Sequence, residues 1–535
     1  MLDLKCLKKH REDIFKAEIG ALLFNIGKTH VGFEAWKGYF DRKIDKKFVK
    51  YDEYFNEMDK KKNTPYYKIE LAGNPDLINY FFHAKLSLPA NGSDDKIQKL
   101  DLLEIMKGRG SGEIIVEKVF FRGCENINSG IDKGSPGDKI KGKLLFIANA
   151  FGTSKKKLCC SDFDERRMSF WKELDGFLKS NEYYGNYGND TGWKAIKNWI
   201  SNEIRKWYSG LLSDSRFPVN DVTLWDQVYM TATMFKAALA DMFLIMNDTY
   251  KETDYKAYFE NPNSIKWRIM GIQYDKLGLA ERGFKPAQIK WYRENTRQID
   301  NRVKGIIENE YCLGNEIYRD ETGIYFLVGQ NLGKGNDGDL TYLHPDLVKV
   351  KTEILKAFET YDEFYPAILL TKASRGLMNL SYLLEQAKNN FLQADYSRYH
   401  CIDDKTGNGL CPVCQKRVFS VSNGEERIDE DKRICDFCYE EKTRGRLEEW
   451  EKDPENNETI WTSELQDKNG RIALVTLKFE LGEWLNGNMV NQLVNRKTPM
   501  EDYQQLVDVN SHINPAIILK LKPPNIGSLA LTFAN

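Results

Sequence analysis

The sequence of 535 residues has almost no net charge, because 78 Lys and Arg are offset by 79 Asp and Glu, which gives a formal charge of -1. This balance excludes a whole-molecule basic field for nucleic acid, so any such contact must be a local basic patch. Long hydrophobic runs are also missing. The longest, residues 237–246, contains Asp241 and is too short to span a bilayer. We therefore expect no membrane partner.

Histidine is scarce too, with 6 residues in the chain, which limits any site built from imidazole ligands. Residues 1–11 are charged and have no apolar core, so they do not read as an export signal. The chain has 10 cysteines, and four of them are regularly spaced, which fits a reducing compartment better than a disulfide framework. These features together predict a cytoplasmic location.

The four regularly spaced cysteines form the most informative motif that is present. Cys411 with Cys414, and Cys435 with Cys438, make two C-x2-C pairs separated by 20 residues. Each pair bends the backbone so that two thiolates point at one ion, and two pairs complete a tetrahedral zinc site. Four protein ligands leave no open position for water, so the predicted zinc is structural rather than catalytic.

Other interpretations of these cysteines remain open at the level of sequence. They could be unrelated thiols of a reducing compartment, or they could serve a redox function. His400 and Cys401 lie just upstream and could replace a ligand, although nothing in the spacing requires them.

Helical patterning dominates the first half of the chain. It covers residues 12–30, resumes near residue 170, and continues through 193–212 and 222–246. Gly27 is a plausible stop for the first helix. One apolar face of that helix is predicted to comprise Phe15, Ile19, Leu22, Leu23 and Ile26.

A segment of different composition interrupts these helices. Residues 84–165 are rich in Gly, Lys and Asp, and they predict a partly irregular, β-rich insertion. Strands are expected there at residues 113–121 and 143–148.

From about residue 265 the pattern becomes that of a mixed α/β unit. Its order is β-α-β-β-α-β, the ferredoxin-like split-βαβ arrangement that many nucleotide polymerases and cyclases use as a palm. Such a fold does not by itself establish a function. The predicted strands are residues 267–274, 316–318, 324–328 and 365–372, and the predicted helices are 295–309 and 345–360.

Beyond this unit, a helix at 380–392 leads into the cysteine segment. Residues 471–479 then read as the first strand of a second palm, which is followed by Glu480. The sequence stops at Asn535, before a hairpin equivalent to the one in the first palm, so we expect the chain to be incomplete.

This layout resembles the large signature subunit of type III CRISPR effector complexes (Cas-ten-like), and most closely the variant called Csx-eleven. The segments that carry the resemblance follow the family's order across almost the whole chain, and four together are more specific than any one alone. They are KAEIGALLFNIGK at 16–28, RFPVNDVTLWD at 216–226, GNEIYRDETG at 314–323, and the two cysteine pairs.

The resemblance implies a multidomain α+β fold and a set of partners. In that family the complex carries a guide RNA and detects complementary transcripts, so guide RNA, target RNA and other effector subunits are the implied partners. The implied domains are a helical HD-like domain at 1–255 with the insertion near 84–165, a ferredoxin-like palm at 256–395, a zinc-binding segment at 396–465, and the beginning of a second palm at 466–535.

The HD nuclease chemistry that the resemblance implies is not expected here. An HD site needs an adjacent His-Asp pair and further His ligands, because these hold the divalent metal that activates water. This chain has Phe24 and Asn25 at the corresponding place, and Asp226 and Gln227 where the family often has Asp-His. We expect a structural or surface role for the nearest other candidates, His30 and His83.

A palm cyclase needs carboxylates at the end of its first strand and at its hairpin, where they hold two Mg²⁺ ions. The first palm offers Asp275, Asp320 and Glu321, but it lacks a Gly-Gly-Asp-Asp turn, so we interpret the last two as ordinary turn residues. In the second palm, Glu480 occupies the place of the first metal-binding Asp. It is the candidate cofactor-binding residue if the full protein uses Mg and ATP.

The favoured interpretation is an interaction protein that scaffolds guide and target RNA with partner subunits. The alternative is a nucleotidyltransferase that makes cyclic oligoadenylates from ATP and Mg when its second palm is complete. An unrelated zinc-ribbon protein with a structural palm is the third interpretation. Residues 46–50 and 60–62, with Arg444 and Arg446, are candidate RNA contacts, although solvated faces explain each of them as well.

Overall fold

The computed structural model describes part of the chain, which forms two compact units. The first comprises Met1–Lys143 and Cys159–Pro454, and the second comprises Leu144–Leu158 and Glu455–Asn535. The described residues are 3–29, 80–90, 97–108, 114–132, 146–147, 156–157, 160–180, 190–211, 213, 222–247, 252–281, 283, 286–334, 345–359, 363–389, 409–418 and 434–442.

Several predicted features lie outside the described residues. These are the second palm with its strand at 471–479 and Glu480, the candidate ligands His30, His400 and Cys401, and the basic segments at 46–50 and 60–62 with Arg444 and Arg446. The four domain boundaries also remain predictions.

Helices and strands of the described residues are numbered separately in chain order. The α-helices are α1 (Arg11–Leu23), α2 (Leu102–Lys107), α3 (Asn126–Asp132), α4 (Cys160–Lys179), α5 (Asp190–Tyr208), α6 (Leu224–Asn247), α7 (Glu252–Glu260), α8 (Lys276–Glu281), α9 (Pro286–Lys304), α10 (Pro345–Ala357), α11 (Leu377–Asn389) and α12 (Asp436–Glu440). The strands are β1 (Lys85–Pro89), β2 (Ile97–Asp101), β3 (Phe146–Ile147), β4 (Lys156–Lys157), β5 (Trp267–Gln273), β6 (Gly314–Asp320), β7 (Gly323–Gly329) and β8 (Ala367–Leu370). Leu4–Lys9, Phe24–Thr29 and Pro262–Ser264 are 3₁₀-helices, and Ile115–Glu125 and Gly305–Glu310 are π-helical.

Helix α1 has the predicted apolar face, but it is buried on its other sides as well. Lys16 and Glu18 are only 6% and 2% exposed. Both have partners. Lys16 Nζ donates hydrogen bonds to Glu12 and to the carbonyl of Lys85, and Glu18 forms an ion pair with Lys236. The predicted helix is confirmed, with the difference that its last turns, Phe24–Thr29, tighten into a 3₁₀-helix.

The predicted insertion is more helical than its sequence indicated. Strands β1 and β2 do form an antiparallel hairpin, but the strand expected at residues 113–121 is wrong. That segment belongs to the π-helical stretch Ile115–Glu125, which runs into α3. Its buried residues recur as pairs four positions apart, which is a helical rather than a strand period. The β-branched and aromatic residues there fill a helical core position, and this tertiary packing overrides their strand propensity.

A four-stranded antiparallel sheet confirms the secondary-structure order predicted after residue 265. The strands lie in the order β6-β7-β5-β8. The first strand along the chain, β5, therefore lies inside the sheet, and its neighbour β8, the last strand along the chain, lies at one edge. Helix α9 connects β5 to β6, and α10 connects β7 to β8. Strand β5 is buried along its whole length, because sheet neighbours flank it and helices cover it.

Hydrogen bonds connect helix α6 of the helical region to this sheet. Trp267 of β5 donates its indole N–H to the carbonyl of Met234 at 2.9 Å, and Tyr229 donates to the carbonyl of Glu316 at 2.9 Å. Among the described residues, Leu224–Met246 is a helix long and apolar enough to cross a membrane by length and composition, but 89% of its most apolar window is buried inside the protein. Such burial is typical of a core helix.

In the second unit, the described residues form one short ladder. Strands β3 and β4 pair antiparallel, with Phe146 opposite Lys157 and Ile147 opposite Lys156. Strand β3 falls within the predicted strand at 143–148.

Candidate metal centre

The first cysteine pair lies in a tight turn closed by its own backbone. Cys411 N–H donates to the carbonyl of Arg417 at 2.8 Å, and Gln415 N–H donates to the carbonyl of Cys411 at 2.7 Å. Gln415 takes a left-handed backbone conformation, with φ of 51°, and so turns the chain back directly after Cys414. The backbone N–H of Arg417 then points at Cys414 Sγ, 3.4 Å away. Such N–H groups stabilise a thiolate.

The second pair lies at the start of α12. Cys435 is the N-cap residue of this helix, and its Sγ accepts a hydrogen bond from the backbone N–H of Cys438 at 3.5 Å. This bond repeats the arrangement of the first turn. In each C-x2-C pair, one sulfur therefore accepts a hydrogen bond from the backbone N–H three residues later: Cys414 in the first pair and Cys435 in the second.

The two knuckles bring all four sulfurs together in a buried cluster. The Sγ atoms lie within 4.8 Å of one another, and each cysteine is at most 3% exposed. Cys414 Sγ and Cys435 Sγ are 3.8 Å apart. A regular tetrahedron of sulfurs around zinc, with Zn–S bonds of about 2.3 Å, has an edge of about 3.8 Å. The four cysteines are therefore close enough to bind a metal ion, and the spacing fits zinc.

Mutual repulsion prevents these four thiols from ionising together without a cation. Thiol hydrogen bonds from Cys414, Cys435 and Cys438 lower the pKa of Cys411. The pKa of Cys438 is raised far above its usual range by its hydrogen bonds to Cys411, Cys414 and Cys435 and by burial. A divalent metal removes this conflict, because every ligating sulfur is then a thiolate.

A buried ionic cluster connects the cysteine module, residues 409–418 and 434–442, to the sheet unit. Glu363, which precedes β8, is 4% exposed, and its carboxylate accepts hydrogen bonds from Lys442 Nζ at 2.6 and 2.5 Å. Tyr292 of α9 donates to the same carboxylate at 2.8 Å, and Arg417 donates to it at 3.1 Å. We call these four residues the module joint. Burial raises the pKa of Tyr292, so the phenol remains a donor.

Aromatic rings complete the module joint. Lys442 Nζ lies 4.3 Å from the ring centres of both Trp291 and Tyr292, and the Arg417 guanidinium lies 4.2 Å from the ring centre of Phe437. The desolvated cations are attracted to these ring faces. Sequence reasoning missed the joint, because its members are separated in the chain and no local motif links them.

The residues predicted to stand at a degenerate HD site make contacts with other protein groups. Phe24 packs edge-on against Phe120, with ring centres 5.1 Å apart. Gln227 is buried and accepts a hydrogen bond from Lys28 Nζ, which places an ammonium group beside it. Asp226 is a helix cap, since its carboxylate accepts hydrogen bonds from the backbone and hydroxyl of Thr223 at 3.1 and 2.7 Å.

His83 is also engaged elsewhere. Its Nδ1 lies 2.9 Å from an Asp101 oxygen at the end of the β1-β2 hairpin, and its side chain is 60% exposed. This hydrogen-bonded contact lies at the protein surface. No metal-ligand cluster other than the four cysteines is found among the described residues.

Protein groups contact the carboxylate of Asp320 at the turn between β6 and β7. Asp320 accepts hydrogen bonds from the backbone and hydroxyl of Thr322 at 2.9 and 2.6 Å and forms an ion pair with Lys388. Lys276 Nζ donates to the carbonyls of Asp320 and Gly323 on the same turn. This is the environment of a turn residue.

Asp275 and Glu321 likewise have structural contacts. Asp275 Oδ1 accepts the backbone N–H of Gly278 at 2.8 Å and so caps α8. The carbonyl of Glu321 accepts the backbone N–H of Lys276.

Comparisons with known proteins return little. No family model matches the sequence, and no curated protein matches it significantly. Among solved structures, the chain is similar to one described as "Crystal structure of Csm1-Csm4 cassette in complex with cA4", with 13% sequence identity and a TM-score of 0.36. The match covers 72% of this chain and 50% of that chain, so this chain spans about half the length of its neighbour. At this TM-score the similarity carries no argument about fold or function.

Proposed function

We propose that this chain is a subunit of an RNA-guided type III CRISPR effector, where it holds guide and target RNA together with partner subunits. The observation that carries the proposal is the docking of a four-cysteine cluster on a β-α-β-β-α-β sheet unit through Glu363, Tyr292 and Lys442. It supports the order of modules that the sequence resemblance implies, with the helical region first, then the palm, then the zinc segment.

Within this function, Cys411, Cys414, Cys435 and Cys438 are proposed to hold a structural zinc ion. Their buried sulfurs fit a tetrahedral site, and four ligands leave no place for a reacting water. The ion would connect the two knuckles and keep Arg417 and Lys442 in reach of Glu363. Zinc is thus proposed to support an interaction surface rather than a reaction.

The helical region is proposed to be HD-like in its scaffold and inactive as a nuclease. Phe24, Asn25 and Gln227 supply neither imidazole nor carboxylate, and Asp226 is used as a helix cap. The alternative function, synthesis of cyclic oligoadenylates, depends on Glu480 and the second palm, which lie outside the described residues. The described part of the chain favours the scaffold.

The proposal is tested by purifying the tagged full-length chain from cells that express the neighbouring defence genes and a CRISPR array. We expect partner subunits and array-derived guide RNAs to co-purify, and both to be lost together when the module joint is broken by Glu363→Lys. Glu353→Lys, a change at a partly exposed position on α10, is the matched control and should retain them.

Recovery of the intact chain without guide RNA or partner subunits would reject the proposal in favour of an unrelated zinc protein. Incubation of the purified complex with ATP and Mg²⁺ addresses the alternative. An oligoadenylate product that disappears with Glu480→Ala would show that the chain is an enzyme.

A further inference from the structure

Helix α9 carries the largest excess of positive charge of any α-helix in the described part of the chain. Between Pro286 and Lys304 it has five Lys and Arg residues against two carboxylates. One carboxylate, Asp300, is 2% exposed and forms an ion pair with Lys276 inside the protein, so Glu294 is the one at the surface. In a chain that is nearly neutral as a whole, this helix is a local basic surface of the kind that a phosphate backbone needs.

Two of these cations, Arg293 and Arg297, are exposed and lie four residues apart. We call them the arginine pair. Residues at this spacing share one face of a helix and are separated by about 6 Å along its axis. Within the described residues, neither guanidinium group forms an ion pair, and the exposed Glu294 pairs with neither of them. Both guanidinium groups are therefore available to a ligand from solution.

The same face of α9 continues past the arginine pair toward strand β6. Asn301, one turn further along, is exposed, and its Oδ1 accepts a hydrogen bond from Arg319 Nη1 of β6 at 3.3 Å. Arg319 and Lys304 both form ion pairs with Glu316. The positive charge that carboxylates do not balance on this face therefore lies at the arginine pair.

Contacts on the buried side hold α9 in place on either side of the arginine pair. Before it, Tyr292 donates to Glu363 of the module joint at 2.8 Å. After it, Asp300 accepts hydrogen bonds from Tyr274 at 2.6 Å and from Lys276 at 2.7 Å. The two arginines therefore project from a rigid element, which lowers the ordering cost of binding a ligand.

The chemistry of this face fits a phosphate backbone better than a protein partner. A guanidinium group binds two phosphate oxygens at once through parallel hydrogen bonds. Protein interfaces are instead centred on buried aromatic or apolar side chains. Among the large apolar side chains described on α9, Ile289 is the exposed one. A single such side chain is too little for the centre of a protein interface.

We propose that Arg293 and Arg297 bind neighbouring phosphates of an RNA strand, and that this face of α9 forms part of the RNA path across the chain. The choice of RNA rests on the proposed function, and the arginine pair names a surface that this function requires. Contacts to phosphates carry no sequence information, so binding here is independent of the base sequence.

The test is fluorescence anisotropy of the full-length chain with labelled single-stranded RNAs of unrelated sequence, at salt concentrations between about 50 and 200 mM. Arg293→Gln with Arg297→Gln should weaken binding about tenfold near 0.1 M salt, and by a similar factor for every RNA. It should also reduce the slope of log affinity against log salt by about two, because two phosphate contacts are lost. Unchanged far-UV circular dichroism and melting temperature should accompany these losses, since both positions are exposed.

Arg302→Gln is the matched control. It removes the same charge from the same helix, but Arg302 is 63% exposed on roughly the opposite side and pairs with Glu310 at 3.2 Å. Its effect on affinity and on the salt slope should be much smaller than that of either single change in the arginine pair. Arg293→Lys with Arg297→Lys should keep most of the salt slope while losing affinity, because lysine keeps the charge and lacks the two parallel hydrogen bonds.

Wild-type affinity and salt slope in the double Gln variant would overturn the proposal, and so would an equal loss in Arg302→Gln or a wild-type chain that binds none of the RNAs. A labelled poly-glutamate peptide tests the other class of partner. Loss of peptide binding with unchanged RNA binding in the double Gln variant would assign the face to an acidic protein segment instead. Absence of guide RNA from the chain purified from cells rejects the proposed function. Full retention of guide RNA and partner subunits, with unchanged RNA affinity in the double Gln variant, rejects only the arginine pair.

Discussion

Two buried ionic clusters connect different parts of the chain to the same sheet. They differ in the amount of apolar core that surrounds them. In the module joint, Lys442 pairs with Glu363 beside the cysteine knuckles. In the second cluster, Lys236 of α6 pairs with Glu18 of α1 at 2.9 Å and donates to Asn315 of β6 at 2.7 Å. We call this second cluster the helix joint. Both lysines are completely buried.

The difference lies in what surrounds each joint. Few apolar residues are buried in the described part of the cysteine module, with Val413 and Ile434 the ones beside the sulfurs. The helix joint lies under a large core supplied by α1, α5 and α6. The described part of the module, residues 409–418 and 434–442, buries little apolar surface, so we expect a bound metal to supply much of its folding free energy. The helix joint instead fixes the position of elements that are already stable.

The largest expected effect is therefore loss of the metal. Cys411→Ser with Cys435→Ser should remove one zinc per chain and unfold residues 409–418 and 434–442, since structural zinc contributes on the order of 10 kcal/mol to such modules. Metal analysis and hydrogen exchange measure this. The helical region and the sheet should keep their protection, because their core does not depend on the module.

Cys124→Ser is the matched control, since this buried cysteine lies in the helical region and outside the cluster. Full zinc occupancy in the double variant would show that other ligands hold the ion.

Local patterns predicted the elements but not these joints. The knuckles, the β-α-β-β-α-β order of elements along the chain and the face of α1 follow from residue spacing within short windows. Glu18 and Lys236 are 218 positions apart, and Glu363 and Lys442 are 79 apart, so no window contains a pair. A lysine inside an apolar helix indicates that its buried ammonium group needs a partner. The sequence does not indicate which residue that partner is.

The prediction of a strand at residues 113–121 was wrong for a related reason. Its β-branched and aromatic residues favour a strand, whereas the spacing of its apolar pairs is helical, and the choice is made by packing against distant elements.

The next largest effect should come from breaking the helix joint. Lys236→Met leaves the Glu18 carboxylate buried without its partner, which typically costs about 3–5 kcal/mol. Burial opposes ionisation of Glu18, but Lys236 and Lys197 outweigh it and hold the pKa of this carboxyl below its usual value. Urea unfolding monitored by far-UV circular dichroism measures the loss.

Lys442→Met provides the comparison. It should cost less, because Arg417 remains 3.1 Å from the Glu363 carboxylate and the proposed zinc would hold the module in place. The double variant Lys236→Met with Glu18→Leu should recover much of the lost stability. Equal losses in Lys236→Met and Lys442→Met would remove the distinction between the two joints.

The pH dependence of the helix–sheet contact should be smaller and of known sign. Asp241 of α6 is 1% exposed and accepts two hydrogen bonds from the backbone and side chain of Asn331, at 3.0 and 2.7 Å. Burial raises its pKa to about 6, against an ordinary value of 3.8. The folded protein therefore binds a proton that the unfolded chain releases between these two values.

Because the folded pKa is the higher one, this group favours folding most below about pH 4, and its contribution falls as the pH rises through about 6. The shift of about two units corresponds to about 3 kcal/mol. Asp241→Asn should flatten the difference in unfolding free energy between pH 4 and pH 7 relative to wild type. A steeper slope in the variant would contradict the assignment.

The smallest expected effect concerns Asp226, which with Gln227 stands where the family resembled by the sequence often has Asp-His. Asp226 and Thr223 cap α6 reciprocally, since Asp226 N–H also donates to Thr223 Oγ1 at 3.2 Å. Asp226→Ala should therefore cost about 1 kcal/mol of stability, the usual value of a lost helix cap, and Asp226→Asn should cost less. Neither variant should change Mn²⁺ or Ni²⁺ binding in a calorimetric titration, because the side chain is committed to the helix end. Metal-dependent cleavage of single-stranded DNA that both variants abolish would show instead that Asp226 is a ligand. The protein would then contain two metal-dependent regions rather than one.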